Sequence, residues 1–137
     1  MPRPRSKILR EKCLTALQLL VRLKAADDNG YVSCVTCGVT RHYKDGMQGG
    51  HFLPRGTAHA LLEENINPQC QGCNGFGMKH GSAAQAYTSW MIDMHGKDYV
   101  DELIATKSNV VKMTVADYED LLEDLKAQIK IQEARVI

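Results

Sequence analysis

No stretch of this chain approaches the 18 consecutive apolar residues that a membrane-spanning helix requires. The first twelve residues are basic, but the apolar residues after them are interrupted by Gln18, Arg22 and Lys24. That is not the uninterrupted core of a signal peptide. A cytoplasmic protein with no membrane partner is therefore expected. Internal repeats and low-complexity tracts are also lacking. So is a strong charge of one sign: the net charge is only +1 at pH 7. The charge is unevenly spread, however. Residues 1–24 hold Arg3, Arg5, Lys7, Arg10, Lys12, Arg22 and Lys24 against Glu11 alone, whereas residues 117–133 are mainly acidic. The basic start suits phosphates. The acidic end should face away from nucleic acid, or toward the basic end of a partner subunit. A plainer reading of residues 1–5 is a solvated arm, since Pro2 and Pro4 discourage regular structure.

A length of 137 residues with 44% hydrophobic residues suits one folded domain, or a small module with helical additions. Its five cysteines are an odd number. Four form two pairs, Cys34-Val35-Thr36-Cys37 and Cys70-Gln71-Gly72-Cys73, with Gly38 and Gly72 as turn residues. Soft thiolates at i and i+3 from two such knuckles can wrap one tetrahedral Zn2+. Metal binding would add folding energy to a stretch with few large apolar residues. Disulfides are the competing use of these cysteines, and a reducing compartment disfavours them. Cys13 is left over in an apolar helical stretch and reads as a small buried hydrophobe.

The coarse pattern is α+β. Leu9, Cys13, Ala16, Leu17, Leu20 and Leu23 give residues 6–26 one apolar helical face, stopped by Asp27-Asp28-Asn29-Gly30. Tyr31, Val32, Val39 and Tyr43 suggest a short hairpin around the first knuckle. Gly46, Gly49 and Gly50 make residues 44–50 a loop by turn chemistry. A helical turn is expected within residues 58–64, and a short helix near Cys70 or Cys73. Ser82 should cap a helix ending at Gly96. A second helix follows over residues 97–107, with Tyr99, Val100, Leu103 and Ile104 facing a core. Thr114 and Asp117 form a capping-box variant for a last helix reaching about Ala134, with Tyr118, Leu121, Leu122, Leu125 and Ile129 on one face. The expected division is a basic arm and helix over 1–30, a zinc-stabilised core over 31–81 and a helical extension over 82–137.

Between and beside the knuckles stand polar residues that a structural zinc site alone does not need: His51, Asn65 and Asn74. Gly50 offers no side chain to block a phosphate approaching His51. Arg55 can reach phosphate from the same edge. Asn74, at the start of a helix, can present an oxygen to a divalent metal. Each has a plainer role: His51 as a core histidine or a zinc ligand, Asn65 in a turn, Asn74 as a cap, Arg55 as a surface charge. His59 and His95 read as structural or exposed, and Tyr87 and Trp90 as core.

The two knuckles, Gly50-His51-Phe52-Leu53-Pro54-Arg55-Gly56, Asn65 and Cys73-Asn74 together resemble the HNH nucleases, whose site is a ββα-metal (His-Me finger) fold. Within these, the stretch from Gly50 to Gly56 and the run Gln69-Cys70-Gln71-Gly72-Cys73-Asn74 are most similar to the NinG family of lambda-type phages, also called Rap. The resemblance covers roughly residues 31–81, more weakly the flanking helices. It implies that His51 is the general base, that Asn65 orients it and tightens the loop, and that Asn74 ligates a catalytic Mg2+ or Mn2+. It also implies action on branched recombination DNA such as D-loops and Holliday junctions, in the bacterial host cytoplasm. Many relatives have an Asp metal ligand where this chain has Gly50. His80, Asp45 and His42 are candidates for the missing donor. Arg55, Lys79, Arg3, Arg5, Lys7 and Arg10 are the expected DNA contacts.

The leading expectation is thus a metal-dependent DNA endonuclease, with zinc purely structural because four thiolates leave no open position for water. A non-catalytic zinc-containing DNA-binding module is the first alternative, and a protein-interaction module built on residues 82–134 is the second. A homodimer is expected because a symmetric branch presents two similar strands; the alternative is a monomer whose helices pack on its own core.

Overall fold

The computed structural model of the chain describes residues 3–137. Met1 and Pro2, including the expectation placed on Pro2, lie outside the described residues. The fold begins with α1, Arg5–Ala25, entered through Pro4. Proline is tolerated there because its missing N–H would have no intrahelical partner. Leu9, Cys13, Leu17, Leu20 and Leu23 are all buried, at the spacing that gives one apolar face. The far end of the chain closes this helix. Arg135 Nη2 donates to the carbonyls of Leu23 (2.7 Å) and Ala26 (3.0 Å), while Nη1 pairs with Asp28 at 3.0 Å. The Ala26 carbonyl at the helix end is thereby satisfied, and that of Leu23, which already accepts from Ala26 N at 3.2 Å, gains a second donor.

Two small antiparallel sheets follow. In the first, β1 (Tyr31–Ser33) pairs with β2 (Thr40–His42) and carries the first cysteine knuckle at its turn. In the second, β3 (Met47–His51) pairs with β4 (Ile66–Cys70), with Met47 opposite Cys70 and His51 opposite Ile66. The expected loop over residues 44–50 is therefore corrected: its second half is a strand. Gly49 and Gly50 serve packing, not turning, and neither has a positive φ. A Cβ on Gly49 would lie 2.7 Å from the Cα of Gln18, so glycine lets α1 cross directly over β3.

The segment between β3 and β4 is turns, ending in a short 3-10 turn over Glu63–Asn65. After Cys70 the chain makes a π-helical turn, Cys73–Gly77, continued by α2, Met78–His80. Next come α3 (Ala83–His95), α4 (Lys97–Ala105) and α5 (Val115–Arg135). Ser82 stands at the start of α3, but its side chain makes no capping bond. Its φ of −92° and ψ of 6° lack the extended geometry a capping hydroxyl needs. Gly96, at φ +89°, turns the chain from α3 into α4. Of the four α4 residues expected in a core, Val100 and Leu103 are buried while Tyr99 and Ile104 are partly exposed. Val100 and Leu103, one turn apart, form the buried face, and Tyr99 and Ile104 fall at its two edges. Thr114 and Asp117 make the full reciprocal capping box of α5.

The main core joins α1, α5, the hairpin and the second sheet, with Leu17, Leu20, Val32, Ile66, Leu122 and Leu125 at its centre. The apolar faces of α1 and α5 are buried on each other within one chain, and Arg5 reaches Glu119 at 3.5 Å across them. The basic start and acidic end therefore attract intramolecularly. A second core gathers Leu53, Tyr87, Met91, Val100 and Leu103. Among the described residues no helix is long and apolar enough to cross a membrane.

Candidate functional site

The four paired cysteines meet. Their sulfur atoms all lie within 4.8 Å of one another, and Cys37 and Cys70 are 3.7 Å apart. A tetrahedron with Zn–S bonds of about 2.3 Å has edges of about 3.8 Å, so the donor set fits one zinc ion. Gly38 makes the first knuckle possible. At φ +83° it donates its N–H to Cys34 O at 2.9 Å, closing the turn. Burial opposes ionisation of Cys34, but bonds from the Thr36 hydroxyl and the surrounding backbone outweigh it and bring the thiol to about 6. Burial, then the neighbouring sulfurs of Cys70 and Cys37, push Cys73 up to about 12 against a lowering bond from Thr36. Four thiols this close cannot all ionise without a cation, so metal binding must displace protons.

A second polar centre lies at the other end of the same sheet. From Met47, opposite Cys70, to His51 is four residues of strand, about 14 Å. There a cleft of about 700 Å³ is lined by Gln18, Gln48, His51, Arg55, Asn74 and Lys79 together with Arg22, Gly49, Phe52, Pro54 and Met78. The structure thus brings together four residues singled out from sequence: His51, Asn74, Arg55 and Lys79. His51 Nε2 lies 2.9 Å from Ala60 O. A carbonyl can only accept, so in neutral His51 Nε2 carries the proton and Nδ1 is the free base. Burial lowers the His51 pKa below its ordinary value, with Arg55 and Arg10 adding to the effect against the bond to Ala60. The imidazole is therefore held neutral at pH 7.

Asn65 is fully buried and acts on the loop. Its Oδ1 accepts from Leu53 N at 2.9 Å, and its Nδ2 donates to Leu53 O and His59 O, both at 3.0 Å. Since His59 precedes Ala60, Asn65 fixes the strand-to-loop path that supplies the carbonyl bonded to His51. Asn74 Nδ2 donates to Gln48 Oε1 at 2.7 Å. That bond turns the amide so that Oδ1 remains available as a donor atom to a cation. Arg10 donates to Arg55 O, tying α1 to the cleft rim.

Other expected residues lie elsewhere. The cleft lining does not include His42, Asp45 or His80. His42 packs beside Tyr31 and Tyr43 in the hairpin, Asp45 is exposed at the turn before β3, and His80 stacks against Phe76. Arg3 pairs with Glu11 and Arg5 with Glu119, while Lys7 is exposed on α1. Gly50 is buried, and it faces Gln69 where an open approach for phosphate was expected.

Sequence reasoning missed Gln48, Gln69, Thr36 and the supporting role of Tyr87. Tyr87 was expected in the core, and it is; its hydroxyl also donates to Gly50 O at 2.7 Å while accepting from Asn67 Nδ2 at 3.1 Å. Gln69 Nε2 reaches Thr36 Oγ1 at 3.3 Å, and Thr36 Oγ1 lies 3.2 Å from Cys34 Sγ. This chain links the knuckle to β4. The signal for Gln48 was its alternation with buried Met47 and Gly49, hidden once the segment was read as a loop.

Fold and site together define a small mixed α+β protein whose four-cysteine cluster can bind zinc beside a histidine- and amide-lined cleft. A family model described as Bacteriophage Lambda NinG protein matches residues 6–134. The match spans nearly the whole chain, and the protein belongs to this phage family. No curated protein and no solved structure matches the chain.

Proposed function

We propose that the protein is a metal-dependent endonuclease acting on branched DNA in the cytoplasm of the bacterial host. The observation that carries this reading is the convergence of His51, Asn74, Arg55 and Lys79 on one cleft. The order strand β3, strand β4, then helical turns over residues 73–80 supports a ββα-metal core of the HNH type. The cysteine cluster would hold a structural zinc, fixing the end of β4 and the start of the helical turn that bears Asn74.

Within this reading His51 Nδ1 accepts a proton from water, and the hydroxide oxygen bonds to phosphorus in line. The bond from phosphorus to the 3′ oxygen breaks, and that oxygen takes a proton from solvent water, leaving 5′-phosphate and 3′-hydroxyl ends. Arg55 and Lys79 balance the phosphate charge, and the Ala60 carbonyl keeps His51 in its reactive tautomer. Asn74 Oδ1, assisted by Gln48, is the protein donor for Mg2+ or Mn2+. When bound, such an ion supplies charge stabilisation at phosphorus and at the departing oxygen. The cleft lining contains no carboxylate, so Asn74 would hold such an ion together with oxygens of water and of the substrate phosphate. Amide oxygens are hard donors suited to these ions, though they bring no charge. Two copies on a symmetric branch would cut both strands, which keeps a homodimer within the proposal.

The lack of a carboxylate is also the one observation that favours a second reading, a zinc-stapled module that binds DNA without cutting it. Incubating the full chain with junction, D-loop, flap and linear duplex DNA in Mg2+ or Mn2+ separates the two. Branch-selective cleavage with 5′-phosphate products supports the nuclease. Binding without cleavage under every ion overturns it.

A further inference from the structure

The cleft that holds His51 gathers Arg22, Arg55 and Lys79 without an acidic residue in its lining. Arg55 and Lys79 are exposed, so water and salt screen their charge. Arg22 is half-buried on α1, and it is the member of the basic stretch 1–24 that lines the cleft. Arg3, Arg5 and Lys24 of that stretch are paired with Glu11, Glu119 and Glu63. Arg22 has no ion pair among the described residues. Its Nε donates to Gln18 O at 3.1 Å, and its Nη1 to Tyr43 O at 2.9 Å and Met47 O at 3.1 Å. All of these acceptors are neutral carbonyls. Burial accordingly lowers its pKa, opposed only by Tyr43. The guanidinium stays charged all the same, so the fold holds a partly desolvated cation that no acid balances.

The carbonyl bonds alone would make Arg22 a brace for the turn before β3, a role that needs no charge. Further observations point into the cleft. Nη2 makes no hydrogen bond among the described residues and is not sealed from solvent. One helical turn back, the Gln18 side-chain amide lines the same cleft and is likewise uncommitted and open. Gly49 brings both there, since a Cβ on it would lie 2.7 Å from the Cα and Cβ of Gln18 and push α1 off the sheet. A guanidinium fixed by its other nitrogens, with a spare amide one turn away and Arg55 and Lys79 across the cleft, is a donor set for phosphate. Met47 sets its place, four strand residues or about 14 Å from His51. An anion held there is a neighbour of the phosphate that His51 would attack, not that phosphate itself.

We propose that Arg22, through Nη2 and assisted by Gln18, binds a backbone phosphate flanking the scissile one and so sets the register of the DNA strand over His51. Phosphate contacts fix register and orientation without reading sequence. The inference deepens the nuclease reading and rests on its DNA-binding part.

The test uses the full chain without added Mg2+ or Mn2+, so that binding is read apart from cleavage, and a four-way DNA junction titrated over a range of salt. Loss of one phosphate contact lowers the slope of log affinity against log salt by about 1. Arg22→Gln is expected to show that drop and to bind about 10-fold more weakly, and Arg22→Lys should restore most of the slope. Single methylphosphonates, each neutralising one phosphate, are then placed in turn around the branch. At one position the parent should lose about 10-fold in affinity and Arg22→Gln nothing further. Because Arg22→Gln also loosens the turn before β3, Gln18→Ala serves as a second variant. Its thermal unfolding should match the parent, and the penalty at that same position should shrink. Parental salt slope and parental methylphosphonate penalties in both variants overturn the assignment while leaving DNA binding intact. A loss of affinity in Arg22→Gln that is uniform over all positions, with the slope unchanged, overturns it in favour of a brace. Absence of junction binding by the parent overturns the nuclease reading itself, and this assignment with it.

Discussion

A Cβ on Gly50 would lie 1.8 Å from Oε1 of Gln69, an oxygen that is buried and has no hydrogen-bond partner among the described residues. The Gln69 amide, held by Thr36 next to the cysteine cluster, fills the space that any side chain at position 50 would need. This accounts physically for glycine at position 50, directly before His51. Gly50→Ala should cost about 1–3 kcal/mol through overpacking. Gln69→Ala opens the space, so the double variant should be at least about 1 kcal/mol more stable than the sum of the singles. Urea unfolding of the four proteins checks this, and strict additivity would mean that the two residues do not compete.

The same crowding separates what was legible in the sequence from what was not. Cysteine spacing announced the four-cysteine cluster, because two pairs of i and i+3 thiols suit one tetrahedral site. The apolar periodicity of α1 and α5 was equally plain, as was the Thr114–Asp117 box. Strand β3 was hidden because Gly49 and Gly50 carry a turn signature, while their actual purpose, admitting Gln18 from above and Gln69 from across the sheet, depends on residues distant in sequence. Gln48 went with it. The positions of His42, Asp45 and His80 could not be read from sequence proximity, since the hairpin and the helical turn carry them away from the cleft.

Asn65 ties the end of the loop to the backbone beside Ala60, whose carbonyl holds His51. Its three side-chain hydrogen bonds span Leu53 and His59; the two to Leu53 are buried and the one to His59 is partly buried. Asn65→Ala leaves their partners unpaired and should destabilise the protein by about 2–4 kcal/mol. Asn65→Asp retains the acceptor for Leu53 N but loses both donations, and it should also be destabilised. Thermal unfolding at matched zinc content measures both.

The pH dependence has a definite sign. His51 must be neutral to accept a proton, and burial with Arg55 and Arg10 lowers its pKa from the ordinary value of about 6.5. Cleavage should therefore be constant near neutrality and fall only as pH drops through a value below 6.5. Arg55→Gln removes one lowering charge and should move this acid limb upward. Burial remains, so the limb should stay below about 6.5. The pH profile of the single-turnover rate reads the shift, and a downward move would contradict the electrostatics.

Gln48 should set the metal response through Asn74. Gln48→Glu keeps an acceptor for Asn74 Nδ2 and adds a charge, so it should tighten Mn2+ binding. Gln48→Leu frees the Asn74 amide to rotate and should weaken binding several-fold. Mn2+ titration followed by electron paramagnetic resonance, with DNA present, reports this without relying on cleavage. Identical titrations for both variants would remove Gln48 from the site.

Zinc should be inseparable from the fold. One ion per chain is expected, and a strong chelator should unfold the hairpin and the second sheet, because the binding energy of a four-thiolate site is folding energy. Metal analysis together with circular dichroism tests this; a folded, metal-free chain would contradict it.

The central claim is that His51 generates the nucleophile. The most direct measurement is the single-turnover cleavage rate of a four-way DNA junction in Mn2+, with enzyme in excess, for the parent and His51→Ala. A fall of about 10²–10⁴-fold with junction affinity unchanged is the expected result. Equal rates, or no cleavage by the parent, would contradict the account.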